Sequence, residues 1–218
     1  MGAITRTFAN NITTAGVLQP GAFENASFNN VTSVQSGAVG TGAKTFIASA
    51  TASGDATIDF TSGIDSTYKT YVFYFINMHP ATDDVILTCQ FDTGTNTNYN
   101  QTITSTFYAA RHGESDATNF GYITNRDQAQ GTDFVKLNYD VGNGSDECVS
   151  GYLKLFDPSN STFVTQFIAR TSNYGQANEA ADSQVAGYIN TPTAITRVRF
   201  KMSSGNMDSG KIVLYGME

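Results

Sequence analysis

Two apolar runs separated by a short polar turn, in the stretch from Thr67 to Asp92 (TYKTYVFYFINMHPATDDVILTCQFD), commit this chain to β-sheet structure. In the first run Tyr71, Phe73 and Phe75 alternate with Val72, Tyr74 and Ile76, so both faces of the strand are apolar, as in a central strand buried on both sides. In the second, Val85, Leu87, Cys89 and Phe91 point one way and Ile86, Thr88, Gln90 and Asp92 the other, the period-2 pattern of a half-buried strand with one dry and one wet face. Pro80 in the intervening turn has no amide hydrogen and cannot continue a central ladder. The pattern predicts a long hairpin at the heart of a sheet.

The same reading extends along the chain. Strands are predicted over Lys44 to Thr51, Asp55 to Thr61, Gln101 to Ala110, Phe134 to Val141, Glu147 to Phe156, Ser161 to Thr171, Gln184 to Asn190, Ala194 to Met202 and Lys211 to Tyr215. In the penultimate one Arg197, Arg199 and Lys201 face outward against Val198, Phe200 and Met202. Asp65 is a candidate cap in the turn before the central run. Three polar segments, 93–100, 111–133 and 173–183, read as surface loops. About ten to twelve strands with no convincing amphipathic helix make an all-β fold, expected as a two-sheet antiparallel sandwich of jelly-roll type over residues 41–218.

Residues 1–40 follow neither period. Ile4, Phe8, Ile12, Val17, Phe23 and Phe28 are scattered among Asn, Thr, Ser and Gly, too sparsely to form a core. They read as an extended anchoring arm whose apolar residues pack on a partner, most simply another subunit.

Composition limits the partners. Only 14% of residues are charged, and 12 basic against 19 acidic side chains give a net charge of -7 with no basic cluster. Nucleic acid and anionic membrane are therefore not expected as partners. No apolar run approaches the roughly 20 residues needed to span a bilayer, and the N-terminus lacks the charged start and apolar core of a secretory signal. Met1-Gly2 with Thr5 resembles a myristoylation signal only superficially. Six Asn-x-Ser/Thr sequons, at Asn11, Asn25, Asn30, Asn100, Asn143 and Asn160, are what chance gives in so Asn- and Thr-rich a chain. Cys89 and Cys148 lie in no metal-binding spacing and read as free thiols, with a disulfide open if their strands are neighbours.

Catalytic constellations are not apparent. His79 and His112 are the only imidazoles, and neither lies in a nucleophile or metalloprotease motif. The adjacent acids Asp83/Asp84 and Asp146/Glu147 point apart, unlike the acid pair of a glycosidase. Asp92 to Asn98 places oxygen ligands at alternate positions but lacks the closing Glu of an EF-hand, so neither metal nor cofactor is predicted. The remaining candidates are loop residues with the composition of a carbohydrate-contacting or protein-contacting surface: Tyr99, Arg111, His112, Tyr122, Arg126 and Tyr174, with Tyr108 and Phe120 nearby.

Ala3-Ile-Thr-Arg-Thr-Phe-Ala-Asn-Asn-Ile12, Thr61-Ser-Gly-Ile-Asp-Ser-Thr-Tyr-Lys69, Ile76-Asn-Met-His-Pro-Ala-Thr-Asp83, and Phe200-Lys-Met-Ser-Ser-Gly-Asn-Met-Asp208 with Ile212 to Gly216 are spread over most of the chain. In these stretches it resembles structural proteins of marine and freshwater tailed bacteriophages, cyanophages among them. The resemblance implies a non-enzymatic virion component assembled in the host cytoplasm. Its expected form is a surface-exposed tail-fibre or tail-adaptor protein, homo-oligomeric and trimeric for preference. Its expected partners are other virion proteins and host surface polysaccharide. A capsid decoration protein is the first alternative, and a polysaccharide-degrading enzyme is the reading from another class.

Overall fold

The computed structural model describes residues 44–217, and every regular element among them is a strand. The expected arm, with Ile4, Phe8, Ile12, Val17, Phe23 and Phe28, lies outside the described residues. The strands are β1 (Thr45–Thr51), β2 (Ile58–Phe60), β3 (Thr70–Pro80), β4 (Leu87–Thr93), β5 (Ile103–Gly113), β6 (Thr118–Tyr122) and β7 (Gln128–Gly131). After these come β8 (Val135–Lys136), β9 (Val149–Phe156), β10 (Thr165–Gly175), β11 (Glu179–Ile189), β12 (Ile195–Met202) and β13 (Met207–Met217).

They build two antiparallel sheets. The large one, of nine strands, runs β1-β13-β3-β9-β10-β11-β5-β6 with β7 also on β5; the small one runs β2-β12-β4-β8. This order establishes a β-sandwich and goes no further toward the jelly-roll connectivity expected. Strand β10 shows why such sequences become strands: its residues are alternately buried and exposed along nearly its whole length, so one pleat face enters the core and the other meets solvent.

The sheets are joined by aromatic packing. Phe200 of β12 lies with its ring centroid 5.2 and 5.3 Å from those of Phe73 and Phe75 of β3, and 6.2 Å from Phe60 of β2, all edge to face. Farther along, Phe91 of β4 meets Phe167 of β10 at 5.5 Å. Edge-to-face pairs bring the positive rim of one ring to the negative face of another, an advantage beyond burial alone.

The expected central hairpin is not formed. β3 pairs with β13 and β9 in the large sheet, whereas β4 pairs with β12 and β8 in the small one, so residues 81–86 cross from one layer to the other. Alternation specifies which face of a strand is dry but not which strand lies beside it. Here β3 meets β12 across the core through Phe73, Phe75 and Phe200, and β4 meets β10 through Phe91 and Phe167. The expectation that β3 is apolar-buried on both faces holds at Val72 and fails at Ile76, which is 47% exposed.

The wet face expected for β4 is also absent, since the whole strand is buried. Gln90 donates its Nε2 hydrogens among the carbonyls of Gln101, Thr132 and Asp133 at 3.0–3.2 Å, while its Oε1 accepts from the Phe91 amide. Asp92 accepts from the amides of Thr93 and Tyr99 and from Gln101 Nε2. The 95–102 and 132–134 segments thus cover the outer side of β4 and satisfy its polar groups. Both Asp92 oxygens have internal donors.

Other boundaries shift. The 111–133 excursion contains β6 and β7, and 173–183 is the tip and arms of the β10–β11 hairpin rather than a loop. Polar residues fill one face of these strands, which hides them from a search for apolar runs. The strand expected over Phe134 to Val141 shrinks to β8, with Val141 bridging Val85. Asp65 does hold a turn, its Oδ1 accepting the Thr67 amide at 2.8 Å. Cys89 is buried, Cys148 half-buried, and both are free.

Two substitutions test this layering by urea unfolding. Phe200→Ala is expected to lower stability by about 3–5 kcal/mol through loss of the shared aromatic contact. Gln90→Leu, of similar volume, is expected to cost about 1–3 kcal/mol because it strands buried carbonyls; an unchanged midpoint for Gln90→Leu contradicts the covered-face description.

Candidate functional site

The residues expected to form a binding surface fall into three places. Tyr99 does not reach solvent: it is 2% exposed, in a left-handed backbone conformation, with the Arg199 guanidinium over its ring at 4.0 Å. Its neighbour Arg199 is itself fixed by a two-pronged pair with Asp59 at 2.6 and 2.8 Å. Tyr99 belongs to the cover of the small sheet, so its assignment to an exposed binding loop is corrected.

Arg111 and Arg126 are also structural. Arg126, whose side chain is 10% exposed, pairs with Asp140 at 2.7–2.8 Å, and Arg111 pairs with Glu179 at 3.1 Å. Both guanidiniums lie over Tyr139, at 4.4 and 4.2 Å from its ring centroid. Two cations on one tyrosine, each neutralised by its own carboxylate, tie the 126–140 segment to β5 and β11. Sequence spacing missed Tyr139 because it sits in an irregular segment with no period.

His112 and Tyr174 are brought together. They line an open groove of about 640 Å³ with Glu114, Asp116, Asn178 and Glu179, where the β5–β6 and β10–β11 turns meet. His112 Nε2 is 3.1 Å from Asp116 Oδ1, and the Tyr174 hydroxyl is 3.1 Å from both Glu114 and Asn178. The bond to Glu114 raises the Tyr174 phenol above its ordinary range. This groove has no nucleophile and base in hydrogen-bonded sequence, and no cluster of metal-ligating side chains occurs among the described residues.

Tyr122 leads to a larger feature. Residues of one parity in each large-sheet strand point away from the core, and the register aligns Tyr74 (β3), Tyr152 (β9), Arg170 (β10), Gln184 (β11), Tyr108 (β5) and Tyr122 (β6) in one row across the outer face. Five inter-strand spacings of about 4.8 Å make the row about 24 Å long. Tyr174, Tyr188 and Tyr215 point outward from the same face, so it holds seven of the chain's 11 tyrosines. The row is pre-set: the Tyr108 hydroxyl donates to Gln184 Oε1 at 2.6 Å, and Arg170 grips Asp182 through two bonds of 2.8 and 2.9 Å. That pair holds the Asp182 carboxyl below its usual range. Tyr74 meets Tyr152 and Tyr215 edge to face.

Among the described residues nothing covers this face, in contrast to the small sheet. Shallow depressions line it, one formed by Lys44, Tyr74, Ile76, Val213 and Tyr215, another by Tyr152, Arg170, Ser172 and Asp182 with their neighbours. Sequence reading missed Tyr74, Tyr152 and Tyr188 because they lie in strands taken as core. The signal that finds them is parity: Ser150, Tyr152, Lys154 and Phe156 share one face, as do Gln166, Ile168, Arg170, Ser172 and Tyr174.

Comparison with protein families, with curated proteins and with solved structures finds no match. The geometry therefore stands alone.

Arg126→Ala is expected to lower stability by about 1.5–3 kcal/mol by leaving Asp140 unpaired, whereas Tyr122→Ala, at an exposed strand end, is expected to leave the unfolding midpoint within about 0.5 kcal/mol of the wild type. Thermal or urea denaturation of the two variants checks the division between structural and surface residues.

Proposed function

We propose that the protein is a non-enzymatic component of a bacteriophage virion, exposed on the particle and of tail-fibre or tail-adaptor type, which contacts host surface glycans. The observation carrying this reading is the tyrosine row on the outer face of the nine-stranded sheet, which no described residue covers. Flat phenol rings offer a stacking platform for sugar rings, and the amide, hydroxyl and guanidinium groups between them match sugar hydroxyls. A row of this length suits an extended ligand better than a buried small molecule. The sandwich provides the rigidity such a surface needs, since its contact residues lie on strands rather than loops.

In this reading the domain adopts a jelly-roll-like arrangement, and residues 1–40 anchor it to other virion proteins in an oligomer of three copies. The resemblance to tailed-phage structural proteins supports the assignment, as do the low charge and the Thr- and Asn-rich composition.

The test is binding of the purified full chain, fluorescently labelled, to host cells and to capsids stripped of tails. Binding to cells, weakened at least fivefold by Tyr108→Ala with Tyr152→Ala, is the expected result. Binding to capsids alone would support shell decoration and contradict the proposal, and release of reducing sugar from host polysaccharide would contradict its non-enzymatic part.

A further inference from the structure

The chain carries a net charge of -7, yet the outer face of its large sheet collects basic side chains. Lys44 just before β1, Lys211 on β13, Lys154 on β9 and Arg170 on β10 all project from it, with Asp182 paired to Arg170 among them. Four of the chain's 12 basic residues thus share one face with seven of its tyrosines. Two of the ammonium groups contact tyrosines of this surface: Lys44, 4.5 Å from the Tyr74 ring centroid, donates to the Tyr74 hydroxyl, and Lys154 is 5.0 Å from the Tyr152 ring centroid. Arg170 is half neutralised by Asp182, while Lys154 and Lys211 have no carboxylate partner within salt-bridge distance among the described residues.

The other carboxylates that reach this face sit at its β5–β6 end, where Asp127 accepts from Tyr122 and Glu114 from Tyr174. Glu114, Asp116 and Glu179 line the groove at the end of the same sheet, beyond the row. The small sheet's outer arginine Arg199 is paired with Asp59 and stacked on Tyr99, and is not available to a ligand. Arg197 and Lys136 donate to backbone carbonyls and Lys201 lies over Phe134, so the large sheet's outer face is where carboxylate-free lysines and an aromatic row coincide.

We infer that the ligand of this face is an acidic polysaccharide, a host-surface glycan bearing uronate carboxylates, because unpaired lysines flank a row of outward tyrosines on an otherwise acidic protein. The inference rests on the glycan-contact reading above and adds the ligand's charge. The tyrosines stack on sugar rings and the ammonium groups of Lys44, Lys154 and Lys211 take the carboxylates, with Ser150, Ser172 and Gln184 of the same face at hand for hydroxyls. A polyuronate bears at most one charge per sugar, whereas duplex DNA bears one per about 1.7 Å. The protein's overall negative field opposes the denser polyanion more strongly, which favours glycan over nucleic acid at the same patch.

The experiment measures binding of the full chain to alginate and hyaluronate as polyuronates, to dextran as a neutral glycan, and to poly(dT) as a nucleic acid, in low salt and in about 1 M salt, where screening acts within about 3 Å. Tighter binding to a polyuronate than to dextran, lost in high salt, is expected. Lys154→Gln and Lys211→Gln are each expected to weaken it about two- to fivefold, as exposed ion pairs do. Lys136→Gln, which makes the same charge change on the small sheet, is expected to have no effect, and none of the three is expected to shift the thermal midpoint by more than a degree or so. Equal, salt-insensitive binding of dextran overturns the inference and leaves glycan contact standing. Binding to host cells with no binding to any of the polysaccharides overturns both. Preference for poly(dT), equal sensitivity to Lys136→Gln, or self-association of the chain that the Lys154 and Lys211 variants abolish would each overturn the inference as well.

Discussion

The arrangement depends on hydrogen-bond satisfaction along one strand. β4 carries Gln90 and Asp92 on the face turned away from the aromatic core, and both are fully buried. A polar side chain buried without partners costs about 1–3 kcal/mol, so β4 can occupy the middle of its sheet only if other chain segments come to it. The backbone of 95–102 and 132–134 does so, and in doing so closes the outside of β4. With that side of β4 closed by loops and by Arg199 on Tyr99, the large sheet has the broad outer face that no described residue covers.

That asymmetry gives the two layers different tasks. The small sheet is packed on both sides at β4 and contributes stability, with Phe200 wedged among Phe60, Phe73 and Phe75. The large sheet presents one apolar face inward and one tyrosine-rich face outward, and antiparallel pairing across its breadth turns single residues on separate strands into an ordered row. Cations and anions are sorted along the same sheet: lysines toward the β1 side, carboxylates in the groove at the β5–β10 turns. Arg111 and Arg126 close the end of the sandwich around Tyr139, so much of the basic charge near the groove is already neutralised.

Much of this was legible in the amino-acid sequence, and its failures share a cause. Period-2 alternation located β1, β5, β9, β10 and β12 within a few residues, and it correctly set Arg197, Arg199 and Lys201 opposite Val198, Phe200 and Met202. Alternation is a local property, however, and sheet partnership is not. The hairpin expected from β3 to β4 became a crossing between layers because β13, far away in sequence, pairs with β3 instead. For the same reason Tyr99 and Arg126 looked like loop residues free to bind: polar composition says that a segment is not core, but not that another sheet lies beneath it. His112, Tyr122 and Tyr174 were found because they end strands at the surface. Tyr74 and Tyr152 were not, since a tyrosine in an apolar run looks the same whether its ring faces inward or outward.

The division of the tyrosines between a sealed and an open face is the claim on which the rest turns, and it is measurable residue by residue. Hydroxyl-radical footprinting of the native full chain, read by mass spectrometry, is predicted to modify Tyr108, Tyr122, Tyr152 and Tyr188 readily while Tyr71 and Tyr99, at 0% and 2% exposure, stay protected until the protein unfolds. Ready modification of Tyr99 together with protection of Tyr122 and Tyr152 would mean that the covered and open layers had been assigned the wrong way round.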